Sequence, residues 1–248
     1  MKSWPFCVVV CSAFLYSTSL VCSLTRDRQE YQYMDQLALR ARTDKSSAFH
    51  NYTEIYSQYF AELKDQPITF LEIGIQRGYS VKLWEDYFPN ANLHFIDISA
   101  DLLEYRSKRS PYYFLDQGNK AALQALADEI GKFDVVLDDG GHWMHQQIAS
   151  FQALFPYVKS GGLYIVEDLH TSYWWFYGGH GSPENPRKGP GTAVEFLKDL
   201  VDDLNFTGAR SECADHNKFS PGLGSLTEYQ KDIYSIHFYG SVCIIRKR

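Results

Sequence analysis

Phe70-Leu71-Glu72-Ile73-Gly74-Ile75-Gln76-Arg77-Gly78-Tyr79-Ser80 is the stretch on which the fold turns. An apolar run of Ile68, Phe70, Leu71 and Ile73 stops at Gly74, a second glycine follows at Gly78, and a helical pattern then runs from Tyr79 to Tyr87, ahead of Pro89. A buried strand, a tight turn and a helix N-terminus are the first βα unit of a doubly wound sheet. Without a Cβ, Gly74 and Gly78 let the backbone bend sharply and lie close against a ligand. Glu72 sits within a strand that should be buried, so its carboxylate needs a hydrogen-bonding or cationic partner. A cofactor bearing a cation would supply one. The Gly-x-Gly-x-x-Gly turn of a dinucleotide site is interrupted by Gln76, which weakens a nicotinamide-cofactor reading.

Further strands follow in both patterning and punctuation. Leu93 to Ile96 ends in Asp97, placed to hold ribose hydroxyls as in other doubly wound nucleotide sites. Tyr112 to Leu115 ends in Asp116-Gln117 and leads to a helix over Asn119–Ile130. Phe133 to Leu137 runs into Asp138-Asp139-Gly140-Gly141-His142, and a helix over His145–Tyr157 follows. Ser160-Gly161-Gly162 reads as a turn into Leu163–Val166, which ends in Glu167-Asp168-Leu169-His170. Two strand ends therefore each carry an acidic pair and a histidine, and parallel neighbours would bring them together at the carboxyl edge of the sheet. Asp139, Glu167 and Asp168 are hard oxygen donors, suited to Mg²⁺ or another octahedral cation. Tyr173 to Gly191 is aromatic and then rich in Gly and Pro, and reads as a mobile lid. Its Trp174, Trp175 and Tyr177 either stack on a sugar or pack the loop down. After a helix over Thr192–Leu204, the alternation in Ile233–Tyr239 and Val242–Ile245 predicts an edge hairpin. The expected architecture is one α/β doubly wound, Rossmann-like sheet of seven strands, mostly parallel, closed by that antiparallel C-terminal hairpin.

Composition bounds the partners. The 248-residue chain is 45% hydrophobic, with a formal net charge of -6 and a pI near 5.7. That balance argues against a nucleic-acid surface, which needs clustered Lys and Arg. Residues 1–23 combine Lys2 with an apolar run and a small-residue site at Val21-Cys22-Ser23, the pattern of a secretory signal peptide. The expected organisation is a signal peptide over 1–23, an N-terminal helical segment over 24–66 and a catalytic domain over 67–248. This places the chain in the secretory pathway, with the cytoplasm as the alternative, and leaves no stable membrane span after cleavage. Cys213 and Cys243 would then pair in an oxidising compartment or stand as two buried thiols. Asn51-Tyr52-Thr53 and Asn205-Phe206-Thr207 are N-glycosylation triplets.

Two groups of residues carry a family resemblance. Glu72, Gly74 and Gly78, spaced Glu-x-Gly-x-x-x-Gly, resemble motif I of the class I S-adenosylmethionine-dependent methyltransferases. Thr43-Asp44-Lys45 with His50 and Tyr52, then Asp138 to His142, and Gly161-Gly162-Leu163-Tyr164-Ile165-Val166-Glu167-Asp168-Leu169-His170-Thr171-Ser172-Tyr173-Trp174, look like the metal-dependent macrolide-sugar O-methyltransferases of the mycinamicin and macrocin type. The resemblance implies transfer of a methyl group from S-adenosylmethionine to a sugar hydroxyl of a small-molecule or glycoside acceptor. It implies cofactor contacts from Thr43, Glu72, Gly74, Gly78, Asp97, Asp116, Gln117 and Asp138. Carried over residue by residue, Asp139, Glu167 and Asp168 match the magnesium ligands, and His142 matches the general base. Arg42 and Gly141 stand where the family has Gly and Ser. The rival expectation is a secreted cofactor- or carbohydrate-binding protein that keeps the fold without turnover. A homo-oligomer is compatible with either.

Overall fold

The structure is a computed structural model that describes residues 26–211 and 226–248. Among these residues a seven-stranded sheet runs in the order β3-β2-β1-β4-β5-β7-β6. The strands are β1 (Thr69–Ile73), β2 (Asn92–Asp97), β3 (Tyr112–Phe114), β4 (Phe133–Asp138), β5 (Val158–Val166), β6 (Ile233–Phe238) and β7 (Cys243–Lys247). β1 to β5 pair in parallel, while β7 runs antiparallel to both β5 and β6. The chain leaves β1 toward β2 on one side and returns to β4 on the other. The crevice between β1 and β4 is thus the switch point where ligands of such sheets bind.

Side chains alternate between the faces of a strand, and the burial follows this period. Phe70 of β1, Val135 and Leu137 of β4, and Leu163 and Ile165 of β5 pack on one face with helices 26–41 (α1), Tyr52–Phe60 (α2) and Tyr79–Tyr87 (α3). Phe60, Phe70, Trp84 and Phe88 form an aromatic cluster there, with ring centroids 5.3 to 6.2 Å apart. Leu71, Val136, Tyr164 and Val166 face the other way, toward helices α4 (Lys120–Ile130), α5 (Met144–Leu154) and α6 (Ala193–Ser211).

Several boundaries differ from the sequence expectation. The Lys159-Ser160-Gly161-Gly162 stretch belongs to β5 rather than to a turn, and the β4–β5 register shifts between Phe133 and Val135. Gly161, at φ +80°, absorbs this irregularity in a conformation that L side chains avoid. α5 stops at Leu154 and tightens into a 3₁₀ turn over Phe155–Tyr157, because Pro156 lacks the N–H an α-helix needs. A short helix, α7 (Glu228–Asp232), was not expected; a capping box between Thr227 and Gln230 starts it. The loop expected as a lid over Tyr173–Gly191 follows a 3₁₀ turn at Leu169–Tyr173 and carries another over Trp175–Tyr177, and its backbone folds on itself through Gly181 N–H to Tyr173 O at 2.9 Å. The signal-peptide expectation over 1–23, and Cys213 with its proposed pairing, lie outside the described residues; Cys243 is buried. No described helix is long and apolar enough to cross a membrane.

Candidate active site

The β1–β4–β5 register decides which acids meet. Glu72 lies beside Leu137, and Leu137 beside Ile165. Two residues further along, Asp139 and Glu167 leave their strands on the same face as Glu72, beneath α1 and α2. Asp138, one residue out of phase, points to the opposite face. There it accepts hydrogen bonds from Gln117 Nε2 at 2.9 Å and from the Ser150 hydroxyl of α5. Burial lifts the Asp138 carboxyl to about 6, against the pull of those donors.

At the centre of the first group stands Lys45, which is 0% exposed. Its ammonium bonds to Asp139, lies 2.9 Å from Glu167 Oε2 and is 3.8 Å from Glu72 Oε1. Burial disfavours the charged amine, but the surrounding carboxylates outweigh it and hold the Lys45 pKa well above its ordinary value. Glu167 also accepts from the Tyr56 hydroxyl, and Asp168 Oδ1 accepts from Tyr52 at 2.6 Å. Tyr52 and Tyr56 are four residues apart on α2 and so share the helix face turned to the acids. Burial, reinforced by Asp139 and opposed by Lys45, pushes Glu167 well above the usual carboxylate range. Asp168 behaves differently. Burial would raise it, yet His142, the Tyr52 hydrogen bond and His170 together hold it below its ordinary value.

His142 closes this cluster on the side of the crevice. Its Nε2 is 3.4 Å from Asp168 Oδ2 and 4.0 Å from Asp139 Oδ1, and its buried Nδ1 has no protein partner. Both His142 and Asp168 adopt left-handed backbone conformations, at φ 57° and 54°. Such geometry costs of order 1–3 kcal/mol and clusters at functional sites. One ligand atom from each of Asp139, His142 and Asp168 fits within a 4.8 Å group that could hold a metal ion.

A cavity of about 580 Å³ opens from His142 along the crevice. Thr43, Gly74, Asp97, Asp116, Gln117, Asp139 and His142 line it, whereas Glu72, Gly78, Asp138, Glu167 and Asp168 do not. The turn that forms its floor is tightly held. A Cβ on Gly74 would collide with the Asp139 carbonyl, and one on Gly78 with the Tyr105 carbonyl. Asp97 Oδ2 accepts the N–H groups of Ile75 and Gln76, both at 2.9 Å, and Oδ1 accepts from Ile98 at 2.7 Å. Asp116 Oδ1 accepts from Gly118 N–H at 2.8 Å. The Gln117 side chain is committed to Asp138 and, at 2.6 Å, to Gly141 N–H.

One of these placements differs from the sequence reading. The partner expected for Glu72 from a bound cation comes instead from within the chain, as Lys45 together with Ser80 Oγ at 2.9 Å. Lys45, Tyr52, Tyr56 and Ser150 were not singled out for any role at the acids. The available signal was weak: a lysine after Thr43-Asp44 and two tyrosines at helical spacing, with nothing local to show that they face carboxylates.

The chain is 35% identical over 220 residues to the 8-demethyl-8-alpha-L-rhamnosyl tetracenomycin-C 2'-O-methyltransferase of Streptomyces olivaceus, covering 86% of this chain and 54% of that protein. It is 32% identical over 225 residues to the mycinamicin VI 2''-O-methyltransferase of Micromonospora griseorubida, covering 86% and 52%. Among solved structures, the MycE methyltransferase of the mycinamycin biosynthetic pathway, in complex with Mg, SAH and mycinamycin VI, superposes with a TM-score of 0.71 at 29% identity, over 86% of this chain and 54% of that one. The chain spans about half the length of the curated relatives it matches. No family model matches it.

Proposed function

This chain is a homologue of the macrolide-sugar O-methyltransferases, and from that premise we propose that it transfers a methyl group from S-adenosylmethionine to a sugar hydroxyl of a glycosylated small molecule. The observation that carries the proposal is the position of His142, which lines the cavity and touches the acidic cluster at once.

The residues fit both groups that the reading requires. The cavity has the size of a small-molecule site, and Gly74, which lines it, lets the turn lie against the Asp139 carbonyl where a Cβ would collide. Thr43, Asp97 and Asp116 offer polar walls for a hydroxyl-rich, cationic cofactor, which supplies the electrophilic methyl group when bound. Asp139 and Asp168, two of the three residues whose ligand atoms gather closely enough for a metal ion, would hold a divalent cation together with Glu167; bound there, it would act as a Lewis acid and lower the pKa of an acceptor hydroxyl. His142 performs the proton chemistry. Asp168, 3.4 Å from Nε2, orients the imidazole, which must be neutral to take the hydroxyl proton. The aromatic rim supports a sugar-bearing acceptor: Tyr177 meets His142 edge-on at 6.2 Å, Trp143 meets Tyr177 at 6.3 Å, and Trp143 and Trp175 are exposed.

The test is incubation with methyl-labelled S-adenosylmethionine, Mg²⁺ and a panel of deoxysugar glycosides. Labelled glycoside should form, vanish with EDTA and return with Mg²⁺. Undiminished transfer in EDTA would overturn the metal role. Cofactor binding with no product from any glycoside would favour the binding-protein alternative.

A further inference from the structure

Lys45 has no part in the reaction as proposed, and its burial needs a reason. Taking an ammonium out of water costs several kcal/mol unless anions repay it. Here the repayment comes from Glu72 on β1, Asp139 after β4 and Glu167 after β5, the ends of three adjacent strands. These acids overlap the set that would hold the cation. Of Glu167, Oε2 is bonded to Lys45 and Oε1 to Tyr56, so neither oxygen lacks a protein donor. Of Asp139, Oδ2 is bonded to Lys45, and Oδ1 faces His142.

Charge points the same way. Four carboxyl groups, Glu72, Asp139, Glu167 and Asp168, gather where the chain supplies one ammonium, an excess of acids that a divalent cation would complement. The segment carrying Lys45 is itself anchored. Lys45 O accepts from Thr53 N–H at 3.1 Å, and Asp35 gathers Ser47 and the Thr53 hydroxyl.

We propose that Lys45 is the built-in counter-ion of the cation site. Its ammonium keeps Asp139 and Glu167 assembled when no metal is bound, and it competes with the divalent cation for the same oxygens. Lys45 is thus a positioning residue that sets how tightly the site binds metal. The inference rests on the metal reading above.

Titration calorimetry with Mg²⁺ alone, on wild type, Lys45→Met and Lys45→Arg, tests it. Lys45→Met should bind Mg²⁺ at least tenfold more tightly than wild type, and Mg²⁺ should raise its Tm further than that of wild type. Lys45→Arg, which keeps the charge, should stay near wild type. Equal affinities in wild type and Lys45→Met would overturn the role of Lys45 while leaving the metal site standing. Absence of binding by both proteins would overturn both readings. Should Lys45→Met fail to fold, the lysine Nζ resonance of the wild-type protein decides: it should shift on Mg²⁺ addition, and an unmoved signal overturns the proposal.

Discussion

The two sides of the crevice use the same residue types at the same place in the strand, to opposite effect. At the tips of β2 and β3, Asp97 is half-buried and Asp116 exposed, and backbone N–H groups hold them. At the tips of β1, β4 and β5, Glu72 and Glu167 are buried and Asp139 half-buried, and the three share a single ammonium. Asp97 braces the glycine turn, Asp116 braces the turn after its own strand, and both line the cavity. The second group crowds three carboxyl groups around one ammonium in a poorly solvated place, an arrangement suited to a cation. An acid at a strand end therefore acquires its role from the face it occupies and the element packed over it.

The sharpest break in this comparison is at His142, where the two sides join. His142→Ala should lower kcat by roughly 10²–10⁴-fold, the usual contribution of a general base, while S-adenosylmethionine affinity measured by calorimetry stays within a factor of a few. A variant with normal kcat would remove His142 from the chemistry and leave the sides unconnected.

Glu72→Gln probes the buried side alone. The folded-state pKa of Glu72 is raised to about 8 from 4.5, so the native chain holds this proton more tightly than the unfolded chain. Its contribution to stability is complete below the lower value and is lost as pH climbs through the upper one. In metal-free protein, denaturant unfolding should show that decline for wild type and a flatter profile for Glu72→Gln, with a difference on the order of 5 kcal/mol at pH 9. Parallel profiles would mean that Glu72 titrates as an ordinary surface acid.

Asp97→Ala probes the open side. Loss of the carboxylate releases Ile75 and Gln76 N–H and any hydroxyl held there, at a cost to cofactor affinity on the order of 1–3 kcal/mol. An unchanged Kd would take the β2 tip out of the cofactor site. The smallest effect belongs to Arg42, which occupies φ 65° where the resembling family has glycine. Arg42→Gly should change unfolding free energy by no more than about 1 kcal/mol, relief of left-handed strain opposing the entropy glycine adds to the unfolded chain. A larger loss would show that the Arg42 side chain holds the segment in place.

Much of the scaffold was legible because its signals are local. Apolar runs ending in glycine or acid located the five parallel strands, and the hairpin at Tyr239-Gly240-Ser241 followed from alternation on either side. Missed boundaries have local causes that are hard to weigh from sequence. Gly161 and Gly162 look like a turn but form a bulge inside β5, and the cap of α7 is only as long as its own box. Gly141 shows the limit within the site. A side chain there would press on Gln146 Oε1, a buried acceptor without a donor, and nothing in the local sequence reveals that contact.

By itself the sequence determined which residues end the strands, and hence that Asp97, Asp116, Asp138, Asp139, Glu167 and Asp168 gather at one edge of a doubly wound sheet. Only the tertiary structure decided how they divide. The period of two assigns each residue a face relative to its neighbours along the strand, but the register between strands sets which faces coincide. That register places Glu72, Asp139 and Glu167 together and sends Asp138 across to Ser150. It also brings in Lys45, 94 positions from Asp139 and 122 from Glu167. No short-range pattern encodes such a meeting, because it depends on α1 and α2 burying their apolar faces against the sheet and carrying one charged side chain in with them.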